Sequence, residues 1–470
     1  MSCIVVQTLI VGGSFLSAVP TLASDSPGRL PIALHPANPH YLLFRGQPTV
    51  LVSSTEHYGA VLNLDFYYVP YLDELHAKGL NLTRTFSGVY CEDRASFGIR
   101  SNTLAPAGGK LLCPWARSQT PGCTNGGNKF DLARWDGAYF RRLKDFLAQA
   151  GERGIVVELV LFCPFYDDSM WVLSPMNVRN NVNGLGGIPR TEVYTMKHPE
   201  MVALHEALTR KICQELNGFD NLYYEVCNEP YFGGVTGDWQ DRIIAAMGAA
   251  ESNLPKKHLI ARNIANGKQK VEGPNPAVSL FNFHYAAPPE TVAMNFALNK
   301  VIADDETGFR GPGDFTYRAE GWDFLMAGGA IYDNLDYSFT CKTPAGTAVP
   351  DAPGGGGAAL RSQLRILKNF LQGFDFVHMA PDNRVILGPL PAKVAARALA
   401  QRGKQYAVYV CGDGLKNLAI DLPAGHYKYQ WYDTRSGPAT AATLEHSGGR
   451  RLIAAPSYQE DIALGLSTMR

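Results

Sequence analysis

The stretch Ile155–Phe162, IVVELVLF, reads as a continuous apolar run. A run of that kind suits a strand covered on both faces, as in a parallel sheet. Helix-period sequence lies on either side. Residues 136–154 place Tyr139, Leu143, Phe146 and Leu147 on one face, as an amphipathic helix requires. Residues 199–218 open on a proline and close on a glycine, the usual punctuation of a helix. The rhythm recurs along the chain. Strand-like runs fall at 50–57, 81–88, 222–230, 258–264, 278–285, 300–308 and 330–337, and helical segments at 66–79, 237–253, 316–329 and 360–374. The connection between the fifth and sixth strands is too poor in apolar periodicity to hold a full helix.

Eight strands spaced for crossovers predict a closed parallel barrel, the (β/α)8 TIM-barrel form of an α/β protein. The competing open, doubly wound sheet is disfavoured by the count of eight and by the lack of a Gly-rich phosphate fingerprint after the first strand. The length of 470 residues suits such a barrel plus an accessory module. After Gly373 the texture changes. QYAVYVCG, NLAIDLP, HYKYQWYDT and DIALGL are short alternating runs between Gly, Pro and Asp, which predict a small all-β sandwich over 376–470. The barrel then takes 24–375. APGGGGAA at 352–359 reads as a loop inside it, because the helix that follows should complete the barrel.

Residues 1–23 are apolar and carry no Lys or Arg. With Thr21-Leu22-Ala23 as a small-residue cleavage site they read as a signal peptide, so the expected location is secreted or periplasmic. No other stretch is long and apolar enough to span a bilayer. The 43 basic and 43 acidic side chains balance, which gives no reason to expect a nucleic acid or an anionic membrane as partner. Cys113 and Cys123 flank the loop CPWARSQTPGC, where a local disulfide is an expectation. Cys163, Cys213, Cys227 and Cys411 read as buried thiols, and no cysteine pair has zinc-type spacing, so no metal site is predicted.

Barrel enzymes carry their chemistry on the C-terminal ends of the strands. Here those ends are polar: Glu56-His57, Arg84, Asn228-Glu229, His284-Tyr285, Asp304-Asp305-Glu306, then Asp333, Asn334 and Asp336. Glu229 and Glu306 lie at the tips of strands four and seven, on opposite sides of a small mouth. Facing carboxylates suit glycosidic cleavage, one protonating the leaving oxygen and the other attacking the anomeric carbon or activating water. Arg84 can hold one of them ionised, and Asn228 can donate to a sugar hydroxyl. An arbitrary strand-end glutamate is usually just solvated; agreement among several strand ends argues otherwise here. His57 stands between a sugar contact and a supporting role. Trp135, Trp171 and Trp239 fall in or near upper loops, where aromatic faces stack on sugars, Trp171 being the chosen candidate. Glu225 reads as a structural polar layer. Strand parity turns Asp305 away from Glu306 and Asp304 inward. The Asn81-Leu82-Thr83 sequon lies in a buried strand and is discounted.

Asn228-Glu229-Pro230 on strand four, Glu306 on strand seven and GLNLTRTF on strand two together resemble glycoside hydrolase clan A, distantly its family 5 cellulases and mannanases. The resemblance covers roughly 40–375. It implies a retaining double displacement with Glu229 as acid/base, Glu306 as nucleophile and Arg84 supporting Glu306. Three departures stand out. His284-Tyr285 are adjacent where the family shows His-x-Tyr, strand eight offers Tyr332, Asn334 and Tyr337 in place of a Trp, and strand three ends on Phe162-Cys163 without a His. The C-terminal segment resembles the collagen-binding-type β-sandwich that follows bacterial barrels of this kind. The expected activity is therefore a secreted retaining β-glycosidase on an oligo- or polysaccharide, with Glu229 and Glu306 catalytic and Arg84, Asn228, His284, Tyr285, His57, Glu56, Trp171 and Asn334 around the sugar. No cofactor is needed. A transglycosylase of the same fold and a silent carbohydrate- or matrix-binding protein remain as alternatives.

Overall fold

In the computed structural model, which describes residues 29–94 and 96–469, eight parallel strands form one sheet: β1 (Leu51–Thr55), β2 (Leu82–Phe86), β3 (Val156–Phe162), β4 (Leu222–Cys227), β5 (Ile260–Asn266), β6 (Leu280–His284), β7 (Val301–Glu306) and β8 (Ile331–Leu335). Each pairs with its successor from β2 to β8, and β8 returns to β1. Between β1 and β2 the ring is closed largely by side chains. Ser53 Oγ donates to the Leu82 carbonyl at 2.7 Å, and the Asn81 amide bridges Val50 and Val52 at 2.9 Å each. The sequon asparagine is thus a barrel closure. The expected signal segment 1–23 lies outside the described residues.

Among the described residues the helices α1 (Tyr68–Ala77), α2 (Gly137–Glu152), α3 (Pro199–Leu216), α4 (Gly237–Glu251), the short α5 (Glu290–Asn295), α6 (Asp314–Met326) and α7 (Ala358–Gln372) wrap the sheet, and a further single turn, Asp168–Trp171, lies in the loop after β3. No helix joins β5 to β6, in keeping with the weak periodicity there. The N-terminal face is capped by a small antiparallel sheet of residues 33–34, 42–44 and 47–49. Arg45 anchors it, donating to Asp220, just before β4, at 2.7 Å and to the Gly151 carbonyl at 2.9 Å. Chemistry is left to the opposite face.

The insert after β2 is more ordered than its sequence predicts. Trp115–Pro121 and Asn128–Trp135 form an antiparallel hairpin. The expected Cys113–Cys123 disulfide is not formed, and both are buried free thiols. The hairpin aims them apart: Cys113 Sγ faces the Trp115 carbonyl and Cys123 Sγ the Asn180 side-chain oxygen, each at 3.6 Å.

Beyond α7 the strands Ala395–Gln401, Gln405–Cys411, Gly425–Asp433, Gly437–His446 and Asp461–Thr468 share one antiparallel sheet, and Asn417–Leu422 pairs with Gly449–Ala454 in a second. Val408, Trp431, Ile462 and Leu464 fill the space between them. The sandwich is fused to the barrel. Leu399, Ala407, Tyr409 and Ala463 belong to the barrel's own core, and Tyr409 stacks on Trp322 of α6 at 5.4 Å. Among the described residues no helix is long and apolar enough to cross a membrane.

Candidate active site

The C-terminal strand ends surround a cavity of about 510 Å³ lined by His57, Tyr58, Glu92, Asn228, Glu229, Tyr285 and Glu306 together with several aromatic rings. Glu306 reaches it through a backbone irregularity. Phe283 of β6 pairs with Asp304, but the next residue, His284, pairs with Glu306. A β-bulge of this kind re-aims side chains. Asp305 therefore points into the barrel, where Asn282 donates to it at 2.8 Å and the Arg84 Nε lies 3.3 Å away. Asp304 faces the outer layer, accepting from the Ala286 backbone. Both aspartates thus reverse the orientation expected from parity, and Glu306 is turned to the mouth above Asp305.

Backbone strain is concentrated at the same level. Tyr58, Glu229 and Tyr285 have φ of 58°, 37° and 53°, a region that residues other than glycine adopt rarely and at a cost of order 1–3 kcal/mol. Each projects into the site. Tyr58 and Tyr285 donate their hydroxyls to the two oxygens of Glu306 at 3.0 Å each. Glu229 accepts from Tyr166 at 2.5 Å and from Tyr231 at 3.3 Å.

Arg84 and His284 tie the carboxylates together from below. Arg84 is fully buried and donates to Glu306 at 3.2 Å and to Glu225 and Asn228 at 2.7 Å each. His284 Nδ1 lies 3.2 Å from Glu229 and 3.4 Å from Glu306. Burial pushes the Glu306 carboxyl up, but His284, Arg84 and His57 outweigh it and hold the group well below the usual carboxylate range. Burial pushes the His284 imidazole down, and the Glu306, Glu229 and Asp305 carboxylates override that and raise it well above its ordinary value. His284 is therefore imidazolium at neutral pH. Its Nε2 sits 2.5 Å from the side-chain nitrogen of Asn263, whose oxygen is left without a partner; an imidazolium requires the carboxamide turned the other way, with its oxygen to the ring.

Beneath Arg84 lies a layer of three more acids. A single amide nitrogen of Asn282 lies 2.6 Å from Glu158, 2.6 Å from Glu225 and 2.8 Å from Asp305. Glu225 belongs to this layer, as its sequence position suggests. Burial, and after it the neighbouring Glu225, push the Glu158 carboxyl up to about 8. Burial and Glu158 raise Asp305 in the same way. Glu158 therefore favours its protonated form at pH 7, which lightens the negative charge that Arg84 must balance.

Of the residues expected around a sugar, Asn228, Tyr285 and His57 line the cavity. His57 is held by Glu92 at 3.3 Å. Arg84 and His284 act from behind the carboxylates, without a face on the cavity. Three residues do not reach it. Glu56 turns back to cap the next turn, accepting from the Gly59 and Ala60 amides at 3.0 and 2.9 Å. Trp171 is buried against Phe165 and donates to the Ile188 carbonyl at 3.0 Å. Asn334 is buried in β8 and donates to the Leu335 carbonyl at 3.1 Å. Trp135 and Trp239 also pack away from it, Trp239 on Phe162 and Trp135 on Trp115.

Several functional side chains carry little sequence signal. Tyr58, Tyr166 and Tyr231 each lie a few residues past a strand end; Tyr58 and Tyr231 follow polar termini, whereas Tyr166 follows the apolar Phe162-Cys163-Pro164-Phe165 and had no such clue. Glu92, fixed by Tyr90 at 3.1 Å and Asn102 at 2.5 Å, comes from the insert. The glutamate inside IVVELVLF was itself a sign, since an isolated charge in an apolar strand needs partners.

Fold and site define a (β/α)8 barrel with paired glutamates on its fourth and seventh strands and a β-sandwich fused behind it. No family profile and no curated protein sequence matches the chain. Solved structures do. A protein of Bacteroides vulgatus ATCC 8482, assigned provisionally as a glycoside hydrolase, is similar at TM-score 0.67 and 14% identity over 95% of this chain and 84% of its own. A glycoside hydrolase of family 5 from the same organism is similar at TM-score 0.64 and 15% identity, covering 93% of this chain and 92% of its own. A further glycoside hydrolase gives TM-score 0.64 and 15% identity over 93% and 97%. The chain shares their fold, sandwich included.

Proposed function

We propose that this protein is a retaining β-glycoside hydrolase, acting outside the cytoplasm as its apolar N-terminal stretch suggests. The observation that carries this reading is the spacing of the two glutamates. A carboxylate oxygen of Glu229, one of Glu306 and a ring nitrogen of His284 all lie within 4.8 Å of one another. Carboxyl groups about 5–5.5 Å apart suit direct attack on the sugar, whereas inverting enzymes leave roughly 6.5–9.5 Å for a water. The fold shared with solved glycoside hydrolases supports the same reaction class.

The environments assign the roles. Glu306, held ionised by Arg84 and His284, attacks the anomeric carbon. The bond from that carbon to the leaving oxygen breaks, and Glu229 supplies the proton the leaving oxygen takes. Glu229 has no arginine beside it, only tyrosine hydroxyls and the shared imidazolium. In the second step Glu229 takes a proton from water, whose oxygen attacks the anomeric carbon and releases Glu306. Two inversions leave the sugar with its starting configuration. Tyr58 and Tyr285 fix the Glu306 oxygens, and Asn228, oriented by Arg84, presents its amide to the cavity.

The test is hydrolysis of aryl β-glycosides and β-linked polysaccharides by the wild type and Glu306→Ala, with product anomers followed by NMR. Activity confined to the wild type, with the β-anomer formed first, is the expected result. Formation of the α-anomer first would overturn retention. Equal activity of both proteins would remove the assignment of Glu306.

A further inference from the structure

Most polar groups of the cavity lie on its floor, with Asn266 exposed at one edge, and the rest of the rim is a different surface. Phe97, Phe232 and Phe309 line it and remain 40%, 43% and 37% exposed. They come from three separate segments: the insert after β2, the turn after β4 and the loop after β7. Their rings form a connected arc. Phe97 meets Phe309 at 6.4 Å and 83°, Phe97 meets Tyr166 at 5.2 Å and 87°, and Tyr166 meets Phe232 at 5.6 Å and 54°. Exposed aromatics clustered at one opening mark a binding surface rather than packing.

Two features show that the rim is held in place. Phe97 has φ 54° and ψ 14°, a strained conformation for a bulky side chain. Phe232 sits on a turn closed by its own amide to the Glu229 carbonyl at 3.0 Å. That turn continues through Gly234, where a Cβ would fall 2.4 Å from the Thr191 carbonyl oxygen, so the chain is pressed against the loop below.

We infer that this rim receives an apolar leaving group, so that the favoured substrates are β-glycosides joining one terminal sugar to an aryl or alkyl aglycone. The inference rests on the glycosidase reading above. Its grounds are chemical. Phenylalanine rings offer no hydrogen bonds, whereas a second sugar would bring hydroxyls that need partners on leaving water. The rings meet edge to face around one opening, not as coplanar platforms along a groove. Phe97 touches both the loop after β3 and the loop after β7, so the insert spans that side of the mouth and the cavity admits a chain end there. Bound inside the arc, an apolar aglycone would bury itself and cover three exposed rings at once.

The experiment compares 2-naphthyl and methyl β-glycosides of glucose, galactose, mannose and xylose, with the matching β-linked disaccharides. Wild type, Phe97→Ser and Phe309→Ser are assayed for the ratio of kcat/KM on naphthyl over methyl glycoside. Both rings are partly exposed, so the variants should fold. The ratio is expected to fall by about threefold to tenfold in each variant, the range of one aromatic contact. An unchanged ratio in both, or a disaccharide cleaved with higher kcat/KM than the naphthyl glycoside, overturns the inference. Binding of free 2-naphthol to the wild type, followed by fluorescence, separates this inference from the reaction. If no glycoside is cleaved, saturable naphthol binding that weakens in Phe97→Ser still supports the rim, and its absence refutes it.

Discussion

Arg84 donates to Glu306 at 3.2 Å with one nitrogen while its other terminal nitrogen holds Glu225 and Asn228 at 2.7 Å each. One planar group thus sets the ionisation of the proposed nucleophile, the orientation of the amide beside the proposed acid, and the charge balance of the buried layer. A lysine cannot do all three, because a point charge lacks the fork. Arg84→Lys is expected to lower kcat/KM by about 10²–10³-fold, the range for losing a positioned electrostatic partner. Steady-state kinetics on the best substrate, with circular dichroism to confirm folding, check this. Activity within threefold of wild type would contradict the assigned role.

The lowered Glu306 carboxyl has a direct consequence for pH. Burial opposes ionisation there, and His284, Arg84 and His57 overcome it. The carboxyl is ordinary when unfolded and lower when folded, so its stabilising contribution is present above the ordinary range and lost as pH falls through the folded value. The acid limb of kcat/KM due to Glu306 should therefore lie below the usual carboxylate range. Tyr58→Phe removes a 3.0 Å donor to the charged form and must raise that pKa. The acid limb is expected to move up by about one to two units, since hydrogen bonds to charged groups are worth roughly 1.5–3 kcal/mol. A pH profile carried down to the lowest pH at which circular dichroism still shows the folded protein reads the shift, and a downward move would contradict the assignment.

His284 titrates in the opposite sense. Burial lowers it, but Glu306, Glu229 and Asp305 raise it well above the ordinary imidazole value. Its stabilising contribution is complete below the unfolded value and lost as pH rises through the folded one. The ring nitrogens, followed by 15N NMR of the histidines, should show one imidazolium that persists well above pH 7. Kcat/KM should decline on the alkaline side with the same midpoint. A neutral His284 at pH 7 would leave Glu229 and Glu306 without their shared cation.

Much of this architecture was legible in the sequence, for identifiable reasons. Strands such as IVVELVLF are buried on both faces, and their apolar continuity announces a parallel sheet. Glu229, Glu306 and Arg84 could be grouped from the sequence because strand ends in a barrel converge, and the structure brings the three side chains together. Parity failed at Asp304 and Asp305, because a bulge opposite His284 adds a residue that no side-chain pattern declares. Glu56 and Asn334 were misplaced because the turn after a strand decides whether its last polar residue faces the mouth. Trp171 was chosen for its place in an upper loop, and the ring went to the core. The aromatic rim was hidden because Phe97 lies in a segment with neither helical nor strand period.

The raised Glu158 carboxyl below the site makes a stability prediction with a clear sign. Glu158 is pushed up to about 8 by burial and by Glu225, while an unfolded glutamate titrates near its ordinary value. Unfolding then releases a proton between those limits, so wild-type stability falls as pH rises through them. Glu158→Gln keeps the shape of the neutral acid and removes that dependence. The melting temperature of the variant minus that of wild type should increase by about 2–4 °C from pH 5 to pH 8. A variant that loses ground on going to pH 8 would show that Glu158 is ionised beside Arg84.

The seam between barrel and sandwich is built on a similar buried charge. Asp461, fully buried, accepts from Arg318 of α6 at 2.6 Å, from Tyr409 at 3.0 Å and from Thr434 at 2.8 Å. Asp461→Ala leaves the nearly fully buried Arg318 with Gln363 and the half-exposed Glu460 as its remaining partners. Stranding a buried charge costs about 3–5 kcal/mol, and the loss should be felt by both units because Tyr409 and Trp322 stack across the seam. Denaturant unfolding followed by tryptophan fluorescence should show a lower midpoint in one cooperative transition. Truncation after residue 375 should do worse, since it bares Trp322 and Phe370 and gives an insoluble barrel. A soluble, active truncated protein would show that the sandwich is a detachable passenger and not a wall of the barrel's core.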